Sequence, residues 1–316
     1  MLTEHLVRQV RPVVEAATRR TAMRRSEHAT ALVGAPTWLK LENQQYTGSF
    51  KVRGPLAVRA LANDARPWVA ASAGNHGLGV AYAMRGLGAP PRIFVPRSAP
   101  EVKRGAIARL GAEVTVVDSP SYDDAEAQAR RWAREHRARF VSPFDDELIM
   151  AGNGGTLGLE VLEQLPELQS LLVPVGGGGL ISGVGCVVRA LKPSVRIVGV
   201  QSQATCAMHD SLQRGTALTR HQGPATLAEG LEGGVSARSF DYVKRWVDDV
   251  RLVPEAQIAA AMRWLWQQHD LRVEGSAAVG IAALLEGLRL PGPVCVLLTG
   301  CNVDENTWKR VLEAST

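Results

Sequence analysis

The sequence predicts an α/β protein built on largely parallel β-sheet. After residue 36, short apolar runs alternate with helical stretches, and loops of glycine or other small residues join several predicted strands to the helices that follow. The 316 residues are enough for one large domain or two smaller domains that share a cleft. Hydrophobic residues make up 46% and charged residues 21%, a composition typical of globular proteins and not of disordered or membrane chains.

The first part of the pattern predicts a compact βαβαβα block. Residues 1–25, which precede it, are amphipathic and rich in arginine, and we interpret them as a surface helix, with an organelle transit peptide as the alternative. A further strand is expected at residues 38–42. The block itself is a strand at 67–71, a helix at 77–87, a strand at 92–95, a helix at 99–110, a strand at 113–117 and a helix at 122–136.

A second set of elements begins after residue 146. It comprises a helix at 157–165, a strand at 171–175, a helix at 181–191, a strand at 196–200, helices at 255–269 and 276–287, and a strand at 294–298. Residues 213–238 show no clear period and are interpreted as a loop or mobile cap. The chain ends soon after its last predicted helix, so we expect no appended regulatory domain.

Charge and cysteine content exclude several classes of function. The net charge is +5, but the charges are scattered, so nucleic-acid binding is not predicted. The four cysteines are irregularly spaced without a C-x-x-C pair, which argues against a zinc site or a disulfide framework and favours a reducing, cytoplasmic location. No run approaches the roughly 20 apolar residues that span a bilayer.

A strand that leads through four glycines into a helix is the strongest local signal. Gly176-Gly177-Gly178-Gly179 follows Val173-Pro174-Val175 and precedes the helix at 181–191. Backbone N–H groups and the positive end of a helix converge there without Cβ atoms in the way, so the loop is suited to a phosphate group. It is neither a P-loop nor a dinucleotide fingerprint, and a tight structural corner is the alternative.

Two other loops also carry candidate chemistry. Lys51 in Gly48-Ser49-Phe50-Lys51 begins a predicted helix, and a lysine desolvated in a cleft has a lowered pKa that frees its amine for imine formation. Taken alone, it is more typical of a solvated surface lysine, the interpretation that we favour without the other motifs. Ser72-Ala73-Gly74-Asn75-His76 lies at another helix N-terminus that can bind a carboxylate, although Asn75 can equally be an N-cap and His76 a surface residue.

Together, these three loops resemble the type II family of pyridoxal-phosphate enzymes, closest to threonine and serine dehydratases and serine racemases. The resemblance covers residues 36–304 and includes Pro143-Phe144-Asp145-Asp146 and Thr299-Gly300-Cys301-Asn302. It implies the tryptophan-synthase β-like fold, with two open, twisted, mostly parallel sheets, helices on both faces and the cofactor in the cleft between the domains. We expect residues 1–63 and 147–316 to form the large cofactor-binding domain and residues 64–146 a small mobile domain, in a cytoplasmic homodimer.

The resemblance also assigns roles to individual residues. Lys51 carries pyridoxal 5'-phosphate as a Schiff base and is the catalytic base. The other cofactor-binding and substrate-binding residues it implies are Phe50 against the ring, Asn75 at the ring hydroxyl, Gly176, Gly177, Gly178 and Gly179 at the phosphate, Thr299 at the pyridine nitrogen, and Ser72, Ala73, Gly74, Asn75 and His76 around the substrate. A neutral hydroxyl at Thr299 makes the ring a weaker electron sink than a carboxylate would, which suits elimination.

The implied reaction is dehydration and deamination of a β-hydroxy L-amino acid, threonine or serine first, to a 2-oxo acid and ammonia. Racemases of this family have a serine acid where this chain has Ala73, so racemisation is disfavoured. Their divalent-cation ligands are replaced by Gln201 and Ala207, so no metal is expected.

Departures from the family pattern leave the substrate open. An extra glycine in Ala151-Gly152-Asn153-Gly154-Gly155-Thr156 and the changed stretch Glu274-Gly275-Ser276-Ala277 allow 3-hydroxyaspartate, phenylserine or a hydroxyectoine-derived amino acid as alternatives. Two other classes also remain: a β-replacement synthase of the same fold, and a non-catalytic phosphate-binding α/β protein that would need the glycine loop but not Lys51.

Overall fold

The computed structural model describes residues 1–62 and 65–313, and it contains two β-sheets. The strands of the larger sheet are β1 (Met23–Arg25), β2 (Thr37–Lys40), β7 (Ser170–Pro174), β8 (Arg196–Ser202), β9 (Asp249–Val253) and β10 (Val294–Leu297). Their order is β1-β2-β10-β7-β8-β9, and the sheet is parallel except for the β1–β2 pair. The smaller sheet is parallel throughout, in the order β5-β4-β3-β6. It consists of β3 (Trp68–Ala71), β4 (Arg92–Pro96), β5 (Glu113–Val117) and β6 (Arg139–Phe140).

Helices connect the strands and cover both sheets, as parallel pairing requires. In the first half of the chain they are α1 (Glu4–Ala17), α2 (Glu27–Val33), α3 (Arg53–Leu61), α4 (Asn75–Met84), α5 (Glu101–Arg109), α6 (Tyr122–Glu135) and α7 (Glu147–Met150). In the second half they are α8 (Thr156–Gln164), α9 (Gly179–Leu191), α10 (Ala207–Arg214), α11 (Ala237–Trp246), α12 (Glu255–His269), α13 (Gly275–Leu285) and α14 (Glu305–Glu313). Within the described residues, no helix is long and apolar enough to span a membrane.

Burial of both faces of the sheets explains why the sequences of the central strands are largely apolar. Every residue of β3, β7 and β10 is buried, because helices cover both faces of the sheets. The neighbouring parallel strands β2, β10 and β7 end at the same edge of the larger sheet. The segments that follow them therefore meet there, at the crevice where α/β sheets bind ligands.

The structure differs from the sequence prediction at several elements. The helix expected within residues 1–25 is α1, Glu4–Ala17, a surface helix whose valine face, Val7, Val10 and Val14, is buried. The sequence pattern does not predict α2, α7, α10, α11, α14 or the strands β1, β6 and β9. Residues 213–238 are largely loop, as predicted, with a 3₁₀ turn at Glu229–Leu231 and helical ends on both sides. The expected domain boundary at residues 63 and 64, and residues 314–316, lie outside the described residues.

Candidate active site

Lys51 lies in a short 3₁₀ turn, Phe50–Val52, that leads into α3. The preceding loop takes two left-handed residues, Thr47 and Gly48, with φ of 64° and 73°. Its backbone is tied to the end of β10, because the N–H of Phe50 donates to the carbonyl of Thr299 at 3.1 Å. On the other side α4 approaches so closely that a Cβ on Gly79 would lie 2.4 Å from the carbonyl oxygen of Lys51. The Lys51 backbone is therefore held between elements of the two sheets.

The amine of Lys51 is available for chemistry. Among the described residues, none forms a hydrogen bond or an ion pair with its Nζ, and part of the side chain remains accessible. Burial lowers the pKa of Lys51, and the nearby carboxylate of Glu274 offsets only part of that effect. A lowered pKa increases the fraction of unprotonated amine near neutral pH, which is the form that acts as nucleophile or base.

The four glycines form a cradle at the carboxyl end of β7. Gly178, with φ of 92°, precedes α9 without a side-chain cap, so the first N–H groups of the helix have no intrahelical acceptor. A Cβ on Gly177 or Gly179 would lie 2.6 or 2.9 Å from atoms of Phe144, which explains the need for glycine there. The Oγ of Ser182, in the first turn of α9, is buried without a partner among the described residues. The cradle is therefore suited to an anion.

The loop after β3 presents a second set of N–H groups. The first backbone hydrogen bond of α4 runs from Leu78 to Gly74, which leaves the N–H groups of Asn75, His76 and Gly77 without helical acceptors. Ser72 shapes the loop, since its Oγ accepts from the N–H of Gly74 at 3.1 Å. These N–H groups can bind a carboxylate through the same physics as the glycine cradle.

The side chain of His76 is buried in the structure, with 2% of its surface exposed. Its Nε2 lies 2.9 Å from the carbonyl of Val141, and because a carbonyl only accepts, Nε2 carries the proton. Its Nδ1 is buried without a partner among the described residues. Burial and the charge of Lys51 lower the pKa of His76 to about 3, so the imidazole is neutral. We expected His76 with the substrate, and this geometry leaves that role to its backbone N–H.

Glu274 lies at the centre of the site, a position that its sequence context does not predict. Its carboxylate accepts from Nδ2 of Asn75 at 2.8 and 3.0 Å and from the N–H of Asn302 at 3.1 Å. Nδ2 of Asn302 in turn donates to Oδ1 of Asn75 at 2.6 Å and to the carbonyl of Thr47 at 2.7 Å. Burial raises the pKa of Glu274, and its hydrogen bonds reduce that shift. This network fixes the orientation of Asn75.

Thr299 and Cys301 close the site at the end of β10. Thr299 is 3% exposed, and its backbone carbonyl accepts from the N–H of Phe50 in the Lys51 loop. The thiol of Cys301 is neutral, because burial raises its pKa to about 11. The backbone N–H of Cys301 donates to the carbonyl of Gly48. The carboxylate of Glu274 packs against the adjacent Gly300, where a Cβ would lie only 2.8 Å from it, so a larger residue would displace the carboxylate. The site therefore offers no ionised group from this strand end.

Gln201 is fully buried where the resemblance would place an acidic cation ligand. Its Nε2 donates to the carbonyl of Thr205 at 2.8 Å, and its Oε1 accepts from the N–H of His209 at 2.9 Å. The carboxamide thus joins both ends of the turn between β8 and α10. In the part of the chain that the structure describes, no group of three His, Cys, Asp or Glu residues could hold a metal ion.

A buried ionic network lies beneath the Lys51 turn. Arg53, two residues after Lys51, donates to Glu42 at 2.7 and 2.8 Å and to Glu160 at 2.9 Å. Lys40 forms a second ion pair with Glu160, and all four side chains are 0–2% exposed. The two cations balance the two carboxylates, so the network joins β2, α3 and α8 without a net buried charge.

These residues fit the pyridoxal phosphate that the resemblance implies. The structure brings the amine of Lys51, which forms no hydrogen bond with any described residue, close to Thr299 and Asn75. It also places an anion cradle there, formed by Gly176, Gly177, Gly178 and Gly179. Together, these residues would hold the phosphate, the aldehyde carbon and the ring. Phe50 is buried next to Lys51.

Comparison with known proteins identifies the family of the chain. Residues 14–300 match a family model described as "Pyridoxal-phosphate dependent enzyme". The chain is 40% identical to L-threonine ammonia-lyase of Geobacter sulfurreducens over 99% of its own length and 79% of the relative's. It is 36% identical to serine racemase of Homo sapiens, over 89% and 86% of the two chains. The crystal structure of a threonine deaminase from T.th. superposes with a TM-score of 0.89 at 34% identity, over 96% of this chain and 99% of that one.

Proposed function

This chain belongs to the pyridoxal-phosphate dependent enzyme family. We propose that it eliminates water from a β-hydroxy L-amino acid, L-threonine or L-serine, and that hydrolysis of the resulting enamine gives a 2-oxo acid and ammonia. Its similarity to threonine ammonia-lyases supports the class of reaction. The observation that carries the proposal is the amine of Lys51, whose pKa is lowered by burial and which forms no hydrogen bond or ion pair with any described residue. In the loop after β3, residue 73 is alanine and so supplies no second acid.

Each part of the site has a task in this reaction. When bound, the cofactor supplies an electron-withdrawing ring that acidifies the Cα–H bond of the amino acid joined to it. The amine of Lys51 accepts the proton from Cα, and the electron pair left behind expels the β-hydroxyl, which leaves as water with the proton that Lys51 has taken up. The enamine that remains tautomerises to an imine, and one water molecule hydrolyses this imine to the 2-oxo acid and ammonia. The N–H groups of Asn75, His76 and Gly77 bind the substrate carboxylate and so orient Cα towards Lys51.

Racemisation is the second candidate, because the chain is also similar to serine racemases. It needs a second acid on the face of Cα opposite the lysine. Ala73 has no ionisable atom, and the neutral imidazole of His76 directs its only N–H to Val141. Neither can return a proton to Cα, so the proposal favours elimination.

We further propose that residues 64–146 move as a smaller domain that closes the cleft. The four strands of the smaller sheet all lie in that range, and Lys103 on α5 forms a 2.8 Å ion pair with Glu229 of the loop that precedes α11. A cytoplasmic homodimer remains the expected assembly. The closing motion would exclude water from the site while the intermediate is reactive.

The test is release of 2-oxo acid by the purified, cofactor-loaded protein from a panel of amino acids. The panel contains L-threonine, L-serine, L-allo-threonine, 3-hydroxyaspartate and phenylserine, with the D-amino acids alongside. We expect turnover of L-threonine or L-serine, loss of turnover in Lys51→Ala, and retained turnover in Lys244→Ala, which changes a lysine away from the site.

Two results would overturn the proposal. Retained turnover in Lys51→Ala would remove the assigned base. Conversion of L-serine to D-serine faster than 2-oxo acid release would assign the chain to racemisation instead. In Ala73→Ser we expect D-serine to appear, because the new hydroxyl supplies the missing acid.

A further inference from the structure

The helical stretch from α7 to α8 contains a π-helical turn, Ala151–Gly155. The N–H of Thr156 donates to the carbonyl of Ala151, five residues back, and Oγ1 of Thr156 donates to the carbonyl of Gly152 at 2.6 Å. The flanking residues keep right-handed helical φ and ψ angles, so the turn absorbs one additional residue without breaking the helix. Single π-turns of this kind occur frequently at functional sites.

The π-turn packs between the two segments that form the cofactor site. On one side, a Cβ on Gly152 would lie 2.5 Å from the carbonyl oxygen of Arg53, at the start of α3. On the other side, a Cβ on Gly154 would lie 2.0 Å from the carbonyl oxygen of Leu180, in the first turn of α9. Backbone thus contacts backbone on both sides, and the turn fixes the distance between the helix that follows Lys51 and the helix that follows the glycine cradle.

Asn153 is the one residue of this turn with a polar side chain, and the side chain is directed at α3. It is 2% exposed, and its Oδ1 accepts from the N–H of Gly54 at 2.7 Å. Gly54 is the second residue of α3, so its N–H is one of the donors that a helix start leaves without an acceptor. The residue in the N-cap position, Val52, has no side-chain cap. Asn153 therefore supplies from a distant part of the chain the cap that the local sequence omits.

We propose that Asn153 is a positioning residue for Lys51. Without the cap, the N–H of Gly54 in the first turn of α3 loses its side-chain acceptor, and the Lys51 turn immediately before it gains freedom to rotate. The inference rests on the proposed role of Lys51 and adds that the aim of its amine depends on an acceptor provided by the π-turn.

The test compares Asn153→Ala with Asn153→Asp in the cofactor-loaded protein. Asn153→Ala removes the acceptor, while Asn153→Asp keeps an oxygen of the same shape at a helix N-terminus, where negative charge is favourable. Ser26→Ala is the matched control. Ser26 is buried and caps α2 by accepting from the N–H of Ala29 at 3.0 Å, away from the site.

Three readouts separate positioning from stability. In Asn153→Ala we expect kcat for 2-oxo acid release to fall on the order of 10–100-fold with little change in KM, since misplacement of a catalytic group by about 1 Å costs this much. We also expect the pH midpoint of the absorbance of the lysine-bound cofactor to shift. Asn153→Asp should restore both, and Ser26→Ala should lower the unfolding temperature without affecting either.

The following results would overturn the inference. One is that Asn153→Ala keeps the spectrum and the kcat of the wild-type protein and only lowers the unfolding temperature, as Ser26→Ala does. Another is failure of Asn153→Asp to restore the rate. If Asn153→Ala does not fold, Asn153→Ser, which keeps a shorter acceptor, is judged by the same criteria.

Borohydride reduction of the wild-type protein distinguishes failure of the proposed function from failure of this inference. If borohydride fixes no cofactor on Lys51 of the wild-type protein, the proposed function and this inference both fall. If the cofactor attaches at Lys51 but no β-hydroxy amino acid is turned over, the proposed reaction alone is wrong, and the pH midpoint of the absorbance still decides whether Asn153 positions the lysine.

Discussion

His76 makes the stability of the protein depend on pH in a predictable direction. Burial, with help from the charge of Lys51, lowers the pKa of its imidazole from 6.5 to about 3. In the unfolded chain the imidazole takes up a proton as the pH falls below 6.5, whereas in the folded chain it stays neutral until about pH 3. The contribution of His76 to stability is therefore complete above pH 6.5 and is lost progressively as the pH falls from 6.5 to about 3.

The size of the effect follows from the two pKa values. Each pH unit below 6.5 costs about 1.4 kcal/mol, so the step from about pH 7.5 to about pH 5.0 costs about 2 kcal/mol through this residue. His76→Gln keeps an N–H donor for Val141 but does not titrate. Urea unfolding of both proteins at the two pH values isolates the contribution of His76, because all other groups contribute equally. Equal losses of unfolding free energy in the two proteins would refute the reasoning.

Three further predictions concern the surroundings of the site. Glu274→Gln leaves one donor of the Asn75 network without its acceptor, and kcat/KM should fall on the order of 10–100-fold while the fold is retained; wild-type kinetics would contradict this. Because Gln201 itself joins the turn ends, initial rates should be unchanged by EDTA or added magnesium, and a loss on chelation would show a cation requirement. Arg53→Met leaves Glu42 buried without its cation. The free energy of unfolding should therefore fall by about 3–5 kcal/mol and the unfolding temperature by roughly 5–8 °C. A loss of less than about 1 kcal/mol in the free energy of unfolding would contradict the assigned network.

Elements with a strong local signal could be predicted from the sequence. Helix α12 spans Glu255–His269 as predicted, and the buried strands β7 and β10 agree within one residue at each end, because a fully covered parallel strand is apolar throughout. The glycine loop and the Lys51 loop were recognisable because each joins a strand to a helix. α10 and α11, by contrast, flank an irregular loop, and β6 has only two residues, so neither local period nor length distinguished them.

The rest of the site depends on contacts between residues far apart in the chain. Glu274 meets Asn75 and Asn302 only after the two sheets come together, and a carboxylate before a helix carries no local mark of burial. The glycine-rich run at residues 151–156 is visible in the sequence, but its π-helical turn and the capping of α3 by Asn153 are not. The family resemblance places His76 beside the substrate, and only the structure shows its side chain directed at Val141.

The central claim is that Lys51 carries the cofactor, and one measurement tests it directly. The purified protein, loaded with pyridoxal phosphate, is reduced with borohydride, digested and analysed by mass spectrometry. We expect a single modified peptide with the reduced cofactor on Lys51. A modification on one of the other five lysines, or none above background, would contradict it.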